Sequence, residues 1–235
     1  MLLDDGLFSK RPVPVITIDG PSGSGKGTVA SQLAKELNWH FLDSGAIYRA
    51  FAFIACSTST PLEEDQLLPL VDQLVLNFSV RPADNKLRIL WQERDITEAI
   101  RTEAVGRSAS LLAVYPKIRE ALLGCQRAFR KAPGLVADGR DMGTVVFPDA
   151  VLKVFLSATP EERAKRRYLQ LKARGKHVSL SSVHAELERR DDQDKQRIAA
   201  PLRAAKGAFF IDTTCLSVQD VLQHIKSGLQ AKLGV

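Results

Sequence analysis

The run Gly20-Pro21-Ser22-Gly23-Ser24-Gly25-Lys26-Gly27-Thr28 has the composition of a loop that holds phosphate. Its glycines let backbone amides converge on anionic oxygens, a helix opening behind it adds positive potential, and Lys26 can reach the β and γ phosphates of a triphosphate. The loop departs from the general motif at one position. Gly27 stands where most such loops carry the Ser or Thr whose hydroxyl binds Mg²⁺, and Thr28 follows one residue late. Thr28 belongs to the loop, but its hydroxyl is not assigned to the metal.

A second group of chemistry-bearing residues lies in Leu135-Val136-Ala137-Asp138, where an apolar run ends in an acid. Proteins with phosphate loops use such an acid to orient Mg²⁺, here through water. Gly139-Arg140-Asp141-Met142-Gly143-Thr144 follows at once, an Arg-Asp pair bracketed by glycines at the edge where open α/β sheets bind ligands. Arg190, Asp194 and Arg197 are spaced four and three apart, which puts them on one helix face. Two guanidiniums flanking a carboxylate suit a phosphate and a ribose hydroxyl, and a solvated helix with internal salt bridges is the plainer alternative. Arg163, Arg166 and Arg167 are candidates to meet a transferring phosphoryl group, against the alternative of a basic exposed helix.

Taken together, Asp43-Ser44-Gly45-Ala46-Ile47-Tyr48-Arg49, Asp138 to Thr144 and Arg190 to Arg197 resemble the bacterial cytidylate kinases, and the intervening sequence is similar to that family over nearly the whole chain. The Gly-Lys-Gly-Thr loop ending likewise resembles the nucleoside monophosphate kinases, in which Mg²⁺ is held mainly by nucleotide phosphates and waters. The resemblance implies transfer of the γ-phosphoryl of MgATP to CMP or dCMP. Gly20 to Thr28 would bind ATP, with Lys26, Arg163 and Arg167 catalytic. Asp43, Ser44, Tyr48 and Arg49 would surround the acceptor, and Arg49, Arg140 and Arg190 would clamp its phosphate. Asp141 with Arg119 and Ser110 would read cytosine, whose exocyclic amino donor is flanked by acceptors, while uracil would set a carbonyl against the carboxylate. Arg190, Asp194 and Arg197 complete the expected acceptor set.

These residues require a scaffold. Val13 to Asp19 reads as a buried strand, and Val29, Leu33 and Leu37 recur at helical spacing behind the loop. Phe41-Leu42 reads as a short strand leading to a second helix, and Gly134 to Asp138, Val151 to Leu156 and Ala208 to Asp212 read as further buried strands. Apolar strands alternating with helices predict an α/β fold, a parallel sheet flanked by helices. Leu76-Phe78-Val80 and Leu87-Ile89-Trp91 alternate about Pro82-Ala83-Asp84-Asn85, which predicts an antiparallel hairpin. We expect one phosphate-loop kinase domain over 1–235, an inserted monophosphate-binding subdomain with a small antiparallel β insertion over 74–110, and a short helical lid over 158–180. Thr159-Pro160-Glu161-Glu162 marks a helix start, with a stop near Gly175, and a last helix is expected from Ser217.

The bulk composition is compatible with this reading. The 235 residues are 45% hydrophobic and 26% charged, with no apolar run near the roughly 20 residues of a membrane span. Asp4 and Asp5 stand where a signal peptide needs positive charge, so a cytoplasmic protein is expected. Cys56, Cys125 and Cys215 fit neither a disulfide framework nor a metal signature, and His40, His177, His184 and His224 show no metal spacing. The net charge of +6 calls for an anionic partner. Few aromatics argue against a single-strand stacking platform, so nucleic acid is not expected, nor a membrane, and the chain is expected to be a monomer. Trp39 and Trp91 are read as packing. Two rival functions stay open: a phosphate-loop kinase acting on another nucleoside monophosphate or on a hydroxyl, with Asp43 or Asp141 as base, and a nucleotide-gated RNA-binding module.

Overall fold

The structure, a computed structural model, describes residues 12–80 and 87–233. The expected turn at Pro82 to Asn85 lies outside the described residues.

The phosphate loop joins β1 (Val15–Asp19) to α1 (Lys26–Leu37). β2 (His40–Asp43) then leads directly into α2 (Ser44–Ser57), whose first turn is capped by the Asp43 carboxylate, 3.0 Å from the Ala46 amide. β6 (Leu135–Gly139), β7 (Leu152–Ser157) and β8 (Phe209–Asp212) complete a five-stranded sheet in the order β2-β6-β1-β7-β8, with every pairing parallel. Consecutive side chains of a strand face opposite sides. Leu135 and Ala137 therefore enter one core with α2, while Val136 enters another with α1 and the terminal helix α8 (Val218–Leu233). Both faces of the sheet are covered, as an all-parallel sheet requires.

Between α2 and β6 lie α3 (Glu64–Val71), the antiparallel strands β3 (Leu76–Val80), β4 (Leu87–Trp91) and β5 (Arg94–Asp95), α4 (Glu103–Leu112) and α5 (Pro116–Arg127). Ile89, Ile96, Ile100 and Leu112 from this segment share a core with Phe51 and Ile54 of α2, which fixes the segment against the α2 side of the sheet. Trp91 packs edge-on against Phe53 and donates its indole N–H to the Gln73 carbonyl, and Trp39 packs beside α1.

After β7 the chain forms a helical hairpin, α6 (Pro160–Ala173) and α7 (Leu180–Gln196). Thr159 caps α6, and Gly175 follows it with a left-handed φ of 71°. Ala164, Leu171, Val183 and Leu187 give this hairpin a small apolar core of its own, separate from the two that clamp the sheet. No described helix is long and apolar enough to cross a membrane.

Candidate active site

The carboxyl edge of the sheet gathers the acidic groups. Asp43 of β2 pairs in register with Asp138 of β6, and Asp19 of β1 pairs with Gly139. Asp19 is buried, and both its oxygens accept from backbone amides, Met142 N and Gly143 N at 2.8 Å each. Burial pushes this carboxyl up to about 6 against the pull of those amides. Asp19 thus ties the turn after β6 to the end of β1 and aims Arg140 and Asp141 at the cleft. Sequence reading passed over it because its partners lie more than a hundred residues away.

Lys26 opens α1 and is buried, its ammonium donating to the Pro21 carbonyl at 3.0 Å. Burial pulls it down to about 7, helped by Arg140, while the same burial lifts Asp138 up to about 7 against the opposing pull of Lys26. Oδ1 of Asp138 is buried and has no hydrogen-bond partner among the described residues. Its other oxygen explains the unusual Gly27: a Cβ there would sit 3.1 Å from Asp138 Oδ2, so the carboxylate occupies the space where other loops place a hydroxyl-bearing side chain. An oxygen donor lacking a partner suits a hard cation such as Mg²⁺, which binds proteins through one or two carboxylates plus phosphates and waters. Thr28 is exposed.

A cleft of about 530 Å³ opens beside the loop, and every residue expected to bind the acceptor lines it except Asp43, whose carboxylate caps α2. One wall is cationic. Arg49 donates to the Ile100 carbonyl at 3.2 Å and has no carboxylate partner among the described residues; its guanidinium lies against Gly106, where a Cβ would come within 2.9 Å of it. Arg140 donates to Asp194 at 2.7 Å and to the Ser22 hydroxyl at 2.8 Å. Arg190 has no hydrogen bond or ion pair among the described residues, and burial followed by repulsion from Arg140 and Arg49 pulls it down to about 10. Arg197 pairs with Asp194 but keeps a buried Nε with no partner among the described residues, and burial with the nearby Arg119 brings it down to about 10.

The opposite wall carries a different pattern. Asp141 and Arg119 form a buried ion pair, and Arg119 also donates to the Ala113 carbonyl at 3.0 Å and lies over the Tyr48 ring, 5.7 Å from its centroid. Burial pushes the Tyr48 hydroxyl up to about 12, so it stays a neutral donor. Ser110 of α4 lines the same wall. The cleft therefore offers excess positive charge at one end and a fixed carboxylate with flanking donors at the other.

The arginines of α6 are all engaged. Arg163 is buried, paired with Asp191, and donates to the Ser22 carbonyl at 3.1 Å, so it braces the phosphate loop from outside. Arg166 donates to Thr213, whose hydroxyl reaches the Ser24 carbonyl at 3.1 Å, and Arg167 pairs with Glu103 of α4. Asp191 is a further residue missed from sequence. It sits next to Asp192 in a charge run, and only tertiary structure distinguishes the buried acid from the exposed one.

A family model described as cytidylate kinase matches residues 16–231. A cytidylate kinase of Stutzerimonas stutzeri is 56% identical over 92% of this chain and 95% of its own length. One of Pseudomonas entomophila is 56% identical over 92% of this chain and 95% of its own. Among solved structures, a gluconokinase from Sinorhizobium meliloti aligns over 94% of each chain at 15% identity with a TM-score of 0.47, too remote to bear on the reaction.

Proposed function

The chain belongs to the cytidylate kinase family and transfers the γ-phosphoryl of ATP to CMP or dCMP, and on that premise we propose how its own residues divide the work. The observation that carries the assignment of the acceptor end is Arg190: a half-buried guanidinium beside Arg49 and Arg140, with no ion pair among the described residues, calls for a bound phosphate. Arg49, Arg140 and Arg190 clamp the monophosphate. Asp141, held by Arg119, accepts from the exocyclic amino group of cytosine, while Asp194 and Arg197 hold the ribose side.

The donor triphosphate lies along Gly20 to Thr28, with Lys26 leaving the Pro21 carbonyl for the β and γ oxygens. Asp138 would hold Mg²⁺, which supplies charge neutralisation on the donor phosphates when bound. An oxygen of the acceptor phosphate forms the new bond to the γ phosphorus as the bond to the β–γ bridging oxygen breaks, and ADP leaves with that electron pair. The attacking oxygen is already anionic at neutral pH, so no side chain has to remove a proton. Arg163 and Arg167, on the 158–180 segment, stabilise the transferring group once the hairpin closes and their present partners yield.

The clamp is tested by removing the phosphate from the acceptor. Cytidine should be phosphorylated at least about a thousandfold less efficiently than CMP, since several charge-assisted hydrogen bonds are lost together. Arg190→Ala should raise KM for CMP by about tenfold to a hundredfold, with KM for ATP little changed. Comparable rates on cytidine and CMP would contradict the clamp and favour the hydroxyl-acceptor reading.

A further inference from the structure

α5 presents Ile118, Leu122 and Gln126 on one face, spaced by four, and all three are buried. The first two are apolar and enter the core beside α2. Gln126 stands where the same stripe would take a third apolar residue, and it is only 2% exposed. Burying a primary amide is costly unless it is hydrogen-bonded, so its partner matters. Gln126 Nε2 donates to Ser44 Oγ at 2.8 Å, a contact between two buried side chains 82 positions apart.

Ser44 lines the cleft at the N-terminus of α2, on the same helix as Arg49. A hydroxyl has one proton and two lone pairs. Because the amide of Gln126 donates to it, the Ser44 oxygen is already an acceptor on its buried side, and among the described residues its own proton goes to no acceptor. That proton is left for the cleft. We infer that Gln126 is a positioning residue for the acceptor nucleotide, which acts by holding Ser44 as a hydrogen-bond donor to the bound phosphate.

The inference rests on the acceptor end of the cleft being the phosphate clamp, and it makes a polarity-sensitive statement that packing alone does not. Gln126→Leu keeps the apolar stripe and removes the donor, freeing Ser44 to turn. Gln126→Glu is nearly isosteric but, when ionised, presents only acceptors, so Ser44 would donate to it and show lone pairs to the phosphate. Steady-state kinetics with CMP and with ATP varied separately should give a KM for CMP raised about fivefold to tenfold in Gln126→Leu, and more in Gln126→Glu, with KM for ATP within about twofold of the parent. In a Ser44→Ala background, Gln126→Leu should add almost nothing, because both changes remove the same hydrogen bond.

Additive effects of Gln126→Leu and Ser44→Ala would overturn the inference, as would equal rises in both KM values or an unchanged KM for CMP. If Gln126→Glu fails to fold, the Leu variant and its cycle with Ser44→Ala decide alone. Failure here is separable from failure of the clamp: parent enzyme that prefers CMP strongly over cytidine, together with silent Gln126 variants, refutes only the role of Gln126.

Discussion

Lys26→Ala should lower turnover by about a hundredfold to ten-thousandfold while CMP binding changes by less than about threefold. The size follows from where Lys26 sits. It is a buried amine at the head of α1, and among the described residues it donates to the Pro21 carbonyl alone, which a triphosphate can replace. A fixed charge aimed at developing negative charge in a water-poor site contributes several kcal/mol to the transition state, and alanine removes all of it. CMP affinity should be spared because the cationic wall of the proposed acceptor cleft is built from Arg49, Arg140 and Arg190.

The protonation state gives an independent reading of the same residue. Burial leaves Lys26 near 7, so at pH 8 it is mostly neutral in the free enzyme, while Asp138, also near 7, is mostly ionised. Triphosphate binding favours the charged ammonium and should therefore take up a proton at pH 8. Calorimetry in two buffers of different ionisation enthalpy measures that uptake, and it should vanish in Lys26→Ala. Turnover within tenfold of the parent, or uptake unchanged in the variant, would contradict the role given to Lys26.

The second large effect is on selectivity. Asp141→Asn should lower kcat/KM for CMP by about a hundredfold or more and raise that for UMP, moving the ratio by about a thousandfold. Discrimination of this size arises when a buried polar group loses its complementary partner. Asp141 is fixed by Arg119, itself anchored on the Ala113 carbonyl, so the carboxylate has little freedom to turn away from an unsuitable base. Asparagine keeps a carbonyl for Arg119 but places an amide N–H₂ where cytosine also offers a donor, and uracil offers an acceptor. Breaking a buried ion pair also lowers stability, so the ratio between substrates is the diagnostic quantity. A variant that keeps the parental CMP-to-UMP ratio would remove Asp141 from base recognition.

Much of this architecture is legible in the sequence, and the exceptions have physical causes. β1, the loop and α1 are readable because glycines, a lysine and two hydrophobic periods agree locally. Strand limits shift by a residue or two. β1 begins at Val15, after Pro14, which has no N–H for the ladder, and Gly134 stays outside β6, close against the Trp39 ring. β5, only Arg94 and Asp95, is too short for any period to show. Among site residues, Arg140, Asp141 and Arg190 carry their chemistry in local motifs. Asp19, Asp191 and Gln126 do not, since each acquires its role from a distant partner: the turn after β6, Arg163, and Ser44. Arg163 shows a mixed case, since a local basic motif marks it for the reaction while its bracing contact with the Ser22 carbonyl comes from a residue 141 positions away.

The cleft is proposed to select a cytosine monophosphate as acceptor. Initial rates of ADP formation from ATP with CMP, dCMP, UMP, AMP and GMP, each at the same subsaturating concentration, test it most directly. CMP or dCMP should exceed the other three by about a hundredfold or more; transfer to none of the five, or a preference for UMP or AMP, would overturn the assignment.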